Sequence, residues 1–267
     1  MENPNVARFT GFADIYERYR PIPPAIIADL LLHLAGMDRA DHVVDLGCGT
    51  GLSMLIWLNR TGRLTGVEPS PDMRAVAKER LECCSTNTQV EFIVGEAHQT
   101  RLADASADII TASQSFHWME PVSTLDEVAR VLRTGGVFAA YDCDWPPVSD
   151  PAADVAFAEC HRNAEKLLAQ TGNSKAKAWP KERHFENINN SGHFRYTRDL
   201  ACLHIDSGNC DRFVGLARSQ GSIATLLKHG YTETDVGLLR LRESVQQKLG
   251  DRTIRWFWCY RIRLGVK

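Results

Sequence analysis

None of the eight cysteines (Cys48, Cys83, Cys84, Cys143, Cys160, Cys202, Cys210, Cys259) stands in a C-x-x-C pair. Zinc-ribbon and dithiol redox chemistry need that spacing, so the sequence argues against both. Scattered thiols suit a reducing cytoplasm, where they serve mainly as small buried side chains. No run approaches the ~18 uninterrupted apolar residues of a membrane span. Met1 to Thr10 is polar and lacks an apolar segment, so no secretory signal is expected. Positive charge is not in excess: 31 Lys and Arg stand against 33 Asp and Glu, a net charge of −2. Nothing in that balance asks for nucleic acid or an anionic membrane as partner. Internal repeats and low-complexity segments are also missing. What remains is an ordinary globular composition, and 267 residues suit one large α/β domain or a core carrying a cap.

The pattern along the chain is alternating. Pro21-Ile22-Pro23-Pro24 breaks the opening segment, and Ala25 to Leu34 then reads as an apolar helix ending at Gly36. Strands are predicted at His42–Leu46, Leu64–Val67, Val90–Val94, Asp108–Ala112 and Val137–Tyr141. Helices are predicted at Leu52–Asn59, Ser70–Cys83 and Val122–Leu132; the second has a Ser cap and Pro71 at its first position. Strand and helix alternating at this pitch imply βαβ units and a parallel sheet. After Asp142 the alternation stops. Ala152–Ala169 reads as helix and Thr171–Asn190 as a polar stretch without strand signal. A strand near Phe194–His204 follows, then helices around Arg212–Leu227 and Glu233–Leu249. Ile254 to Leu264 alternates apolar and other residues with period two, a strand.

The chemistry concentrates where the first strand ends. Asp45-Leu46-Gly47-Cys48-Gly49-Thr50-Gly51 places a carboxylate before a loop of spaced glycines. Glycines let backbone take positive φ and approach a ligand closely, and a helix beyond would offer unpaired N–H groups. A dinucleotide fingerprint reads G-x-G-x-x-G and cradles pyrophosphate. Asp45 would repel a pyrophosphate but suits a ligand bearing an ammonium group. Glu68, closing the second strand, lies 23 residues after Asp45 (45 to 68), near the ~20 at which an acidic residue meets a ribose.

Several segments together resemble the type 11 class I S-adenosylmethionine-dependent methyltransferases, and more closely the group similar to trans-aconitate methyltransferase. They are Val43 to Gly51, Gly66-Val67-Glu68-Pro69-Ser70, Val94-Gly95-Glu96-Ala97, Phe116-His117-Trp118, Tyr260 to Gly265 and Tyr16-x-x-Tyr19-Arg20-Pro21. S-adenosylmethionine carries an ammonium, a sulfonium and no phosphate, as the loop asks. The resemblance implies a Rossmann-like, seven-stranded, mostly parallel sheet with an antiparallel last strand, helices on both faces and a small helical cap. It implies cofactor contacts from Asp45, Gly47, Cys48, Gly49, Gly51, Glu68, Pro69 and Met73. Glu96 and Ala97 would sit at the adenine, Ser113 and Gln114 at the methionine end, and Tyr16 and Arg20 in a lid, Arg20 toward the cofactor's carboxylate. On this view 1–36 is the lid segment, 37–145 the cofactor core, 146–191 an inserted substrate cap and 192–267 the rest of one domain.

His117 follows the fourth strand and is the candidate general base or substrate contact. Phe116, Trp118, Asp142 and Trp145 are candidates for the substrate pocket, each with a packing role as the alternative. His161, His184 and His193 lack metal-ligand spacing and are assigned solvated or packing roles, and no metal is expected. The arginines of Ile254–Leu264 are assigned to a solvated strand face, with an acid-binding patch as the alternative. The expected activity is methyl transfer from S-adenosylmethionine to O or N of a small molecule, in a cytoplasmic monomer or homodimer with no nucleic-acid or membrane partner. Three alternatives stay open: a nicotinamide-dependent dehydrogenase, a non-catalytic cofactor-binding protein, and a tRNA or protein methyltransferase.

Overall fold

A computed structural model describes residues 11, 13–171 and 177–267. The polar opening segment 1–10 and part of the polar stretch after Thr171 lie outside the described residues. The elements are α1 (Ala13–Tyr19), α2 (Ile26–Leu34), β1 (Ala40–Leu46), β2 (Thr61–Val67), α3 (Pro71–Glu82), β3 (Gln89–Ile93), β4 (Ala107–Ser113), α4 (Pro121–Val131) and β5 (Leu132–Cys143). They continue with α5 (Pro151–Thr171), α6 (His184–Asn190), β6 (Tyr196–Gly208), α7 (Cys210–Arg218), α8 (Gly221–Lys228), α9 (Leu238–Leu249) and β7 (Ile254–Val266).

The seven strands form one sheet in the order β3-β2-β1-β4-β5-β7-β6, flanked by helices. β1 pairs in parallel with β2 and β4, β2 with β3, and β4 with β5. β7 runs antiparallel to β5. The Gly135 N–H donates to the Lys267 carbonyl at 3.0 Å, while further along β5 the Asp144 N–H reaches back to Cys259 at 2.8 Å. The mostly parallel sheet with an antiparallel last strand is the architecture expected from the sequence. Among the described residues no helix is long and apolar enough to cross a membrane.

Residues group into two compact units. One comprises 21–142, 177–202 and 260–267; the other comprises 1–20, 143–176 and 203–259. The first holds β1 to β4, of which β1 and β4 lie almost wholly buried on both faces, in keeping with their short apolar runs Val43-Val44 and Ile109-Ile110. Val44, Leu46, Val67, Ile110 and Ala112 from the strands pack with Leu125, Val128 and Val131 of α4. α3 starts as predicted: the Ser70 hydroxyl accepts from the Met73 N–H and Pro71 takes the first helical position. In the second unit a chain of rings forms the core. Trp145 lies 4.9 Å edge-on from Trp258, and Phe157 lies 5.5 Å from Phe213, which in turn sits 5.7 Å from Trp256.

Three expectations are corrected. Leu52–Asn59 is not an α-helix but a 3-10 turn over Met54–Trp57. Leu52, Ser53, Met54, Ile56 and Trp57 are all buried, so the stretch has no polar face to present as an amphipathic helix, and Asn59 leaves it with φ +64°. No α-helical dipole therefore stands directly beyond the glycine loop. The helix predicted from Glu233 begins only at Leu238, because Gly237 takes φ +81°. Arg263 is not on a solvated face: β7 alternates only as far as Ile262 and is buried from there to Val266.

Candidate active site

The first unit brings most of the sequence-derived candidates to the carboxyl ends of β1, β2, β4 and β5, the edge at which open α/β sheets bind ligands. Asp45 has no exposed surface, and both its carboxylate oxygens are taken: Oδ1 accepts from the Thr111 hydroxyl at 2.7 Å and Oδ2 from the Ser53 hydroxyl. Burial, outweighing these hydrogen bonds and aided by the charge of Glu68, raises its pKa to about 6. Asp45 therefore anchors the loop and projects charge rather than presenting an open oxygen.

The glycine loop is folded as its residue types require. Gly47, Gly49 and Gly51 have φ of +63°, +55° and +82°, which only glycine adopts at little cost. The Gly47 N–H donates to the Val67 carbonyl at 2.7 Å, tying the loop to the end of β2. Glu68 fastens it again: Oε2 accepts from the Gly49 N–H at 3.0 Å and Oε1 from the Ser70 N–H at 2.8 Å. The Arg74 guanidinium in turn donates to the Glu68 carbonyl. Burial pushes the Glu68 carboxyl up despite those backbone bonds. Each carboxylate oxygen retains a second lone pair, so Glu68 can still accept from a pair of ligand hydroxyls. Cys48 is buried in the loop, and burial raises its thiol well above the ordinary range, which makes it inert as a nucleophile.

Around this cradle, Pro69 is partly buried and Met73 fully so. Ala97 is packed into the core cluster and Glu96 faces His98 at 3.6 Å. Gln114, at φ +53°, is held by its N–H on the Tyr141 carbonyl, directly after Ser113 at the end of β4. Phe116 is 1% exposed and packs edge-on against Phe138, so it is a core ring, while His117 and Trp118 beside it are only partly buried. Asp142 closes the group from β5. Tyr16, Arg20 and Trp145 belong to the other unit and meet there: the Arg20 guanidinium lies 4.8 Å from the Tyr16 ring and 4.5 Å from that of Trp145, and donates to the Ser219 carbonyl at 2.7 Å.

Three residues that the sequence did not mark as functional join Asp142. Lys181 reaches it at 2.7 Å, Arg263 at 3.2 Å and His184 at 3.6 Å. Lys181 sits in a polar stretch with no local signal, and His184 is fully buried rather than solvated. His161 faces Glu165 at 3.7 Å and His193 faces Asp126 at 2.7 Å.

The residues fit S-adenosylmethionine. Among the described residues a Cβ built at Gly49 meets nothing within 4 Å, so the loop is open there, and the buried Thr50 hydroxyl beside it has no hydrogen-bond partner. Two buried carboxylates, Asp45 and Glu68, line the loop, which suits a cationic ligand with ribose hydroxyls.

Comparison with known proteins agrees. Residues 44–140 match the type 11 methyltransferase-domain family. An uncharacterized methyltransferase of Mycobacterium bovis is 37% identical over 128 residues, 48% of this chain and 49% of the relative. The malonyl-[acyl-carrier protein] O-methyltransferase of Serratia marcescens is 30% identical over 112 residues, 42% of each chain. The chain thus spans about half the length of the curated relatives it matches. A solved structure from Anaeromyxobacter dehalogenans, described as a candidate type II methyltransferase, superposes with a TM-score of 0.66 at 24% identity, covering 93% of this chain and 98% of that one, and so shares the fold. The glycine loop, Glu68 and this sheet order thus coincide with a stretch, residues 44–140, that matches a methyltransferase-domain family.

Proposed function

We propose that the protein transfers a methyl group from S-adenosylmethionine to an oxygen or nitrogen of a small organic molecule, leaving S-adenosylhomocysteine. The observation that carries this reading is the Glu68 carboxylate, buried and fastened to the loop by the Gly49 and Ser70 N–H groups. It stands ready-oriented for ribose hydroxyls, and hydrogen bonds to a charged group are worth roughly 1.5–3 kcal/mol each. Asp45 supplies negative charge beneath the amino-acid end of the ligand. By the family resemblance, Glu96 and Ala97 would hold the adenine, and Ser113 and Gln114 the methionine end.

When bound, S-adenosylmethionine supplies a methyl carbon already activated by its sulfonium. The chain's own task is alignment, and orientation of reactants contributes roughly 7–11 kcal/mol in well-positioned systems. His117, partly exposed after β4, is the group that takes a proton from the acceptor. The name of the Serratia marcescens relative gives transfer to oxygen, in keeping with an O–H acceptor here.

The test is incubation of the purified protein with methyl-labelled S-adenosylmethionine and a panel of polycarboxylic acids, phenols and nitrogen heterocycles. Label in a small-molecule product supports the reading. Transfer only to tRNA or protein, or cofactor binding with no transfer at all, overturns it.

A further inference from the structure

Asp142, the penultimate residue of β5, is a buried carboxylate with four basic side chains around it. Oδ1 lies 2.7 Å from Lys181 Nζ and 3.8 Å from His117 Nδ1. Oδ2 lies 3.2 Å from Arg263 Nη1 and 3.6 Å from His184 Nδ1. Each oxygen thus faces one fixed cation and one imidazole. The two imidazoles are nearly parallel, at 27° with centroids 6.4 Å apart, but they are not equivalent. His184 exposes none of its side chain and packs edge-on against Phe116 at 4.9 Å, whereas His117 retains 12%. Only His117 is placed to meet a ligand. Its backbone is held as well, because its carbonyl accepts from the Trp179 N–H at 2.7 Å.

The charge state of Asp142 follows from its surroundings. Burial alone would raise its pKa, but the neighbouring His184 imidazole and the charges of Lys181 and His117 hold the carboxyl well below the usual range. The groups facing this cluster are Lys181, His184 of α6 and Arg263 of β7. Arg263 is itself 3.8 Å from the half-exposed Asp199 of β6. An ionised carboxylate only accepts hydrogen bonds. Facing Nδ1, it selects the imidazole tautomer that carries its proton there. At 3.8 Å the His117–Asp142 contact is a charge contact and not a hydrogen bond, and contacts of this kind at catalytic sites often tighten when substrate binds.

We propose that Asp142 is a positioning residue for His117: it keeps the imidazole proton on Nδ1, so that Nε2 presents a lone pair to the O–H or N–H of the methyl acceptor. The acceptor's proton passes to Nε2, and the imidazolium that forms faces the ionised Asp142 until it releases the proton to solvent. Lys181 and Arg263 hold Asp142 ionised and in place, and His184 buttresses it from the interior. This deepens the methyl-transfer reading above and rests on it for the identity of the proton donor.

The test reads the tautomer directly. Protein labelled with nitrogen-15 histidine is studied by long-range proton–nitrogen NMR at pH 8, with S-adenosylhomocysteine added and His117→Gln used for assignment. The wild type is expected to show His117 protonated on Nδ1 and bare on Nε2. Asp142→Asn is expected to shift the population several-fold toward protonated Nε2, while calorimetry finds its S-adenosylhomocysteine affinity within about threefold of wild type. A wild-type His117 with its proton on Nε2 overturns the proposal without need of any variant, as does an unchanged tautomer in a folded Asp142→Asn. If the wild type fails to bind S-adenosylhomocysteine, the cofactor assignment falls, and the tautomer measured without ligand still decides the role of Asp142.

Discussion

The Thr111 hydroxyl donates to Asp45 Oδ1 at 2.7 Å across adjacent strands, where Asp45 and Thr111 are register partners of β1 and β4. With Ser53 on the other oxygen, this fixes a fully buried carboxylate whose pKa burial raises to about 6. The group is neutral below that pH and ionised above it, and a ligand bearing an ammonium group prefers the ionised form. Affinity for S-adenosylhomocysteine should therefore rise roughly tenfold between about pH 5 and 7, the effect of ~1.4 kcal/mol of charge interaction. Calorimetry across that range checks it, with Asp45→Asn expected to remove the part of the rise centred near pH 6. A flat wild-type profile contradicts the role assigned to Asp45.

Gly47 and Gly49 share positive φ but differ in surroundings. A Cβ at Gly47 lies 2.8 Å from the Ser115 Cβ and 3.0 Å from the Met119 methyl, whereas one at Gly49 meets nothing. Gly47→Ala should cost about 2–5 kcal/mol, backbone strain plus overpacking. Gly49→Ala should cost only ~1–2 kcal/mol, from strain alone. Denaturant unfolding of the two variants separates them; equal losses, or the reverse order, refute the packing argument.

Arg20 joins three partners within its own unit: the Ser219 carbonyl and the rings of Tyr16 and Trp145. A lysine keeps the charge but loses the planar fork and the stacking. Arg20→Lys should lower stability by about 1–2 kcal/mol in chemical denaturation. No change would make these contacts incidental.

Local chemistry made much of this legible. The short apolar runs Val43-Val44 and Ile109-Ile110 mark β1 and β4 of a parallel sheet, the period-two pattern of β7 marks its last strand, and Ser70-Pro71 marks a helix start to the residue. Leu52 to Trp57 misled because apolar residues on every side of a short turn look like a buried helix. The loop and Glu68 were readable because their spacing lies within one βαβ unit. The setting of Asp142 was not. Lys181 and His184, neighbours in one segment, and Arg263 all lie far from Asp142 in sequence, and are brought to it by β7 lying next to β5 and by α6 following Lys181. A single sequence carries no trace of such pairings, and Arg263 departs from its strand's alternation only because β7 is buried on both faces at its end.

The central claim is that the Glu68-fastened glycine loop holds S-adenosylmethionine, and calorimetric titration of S-adenosylhomocysteine into wild type and Glu68→Ala tests it most directly. Loss of the carboxylate removes its hydrogen bonds to the ribose and leaves the Gly49 and Ser70 N–H groups without their acceptor. The expected result is clear binding to the wild type and an affinity at least about tenfold weaker in a folded variant, from the roughly 1.5–3 kcal/mol of one such bond. No binding to the wild type, or equal affinity in the two proteins, would contradict the account.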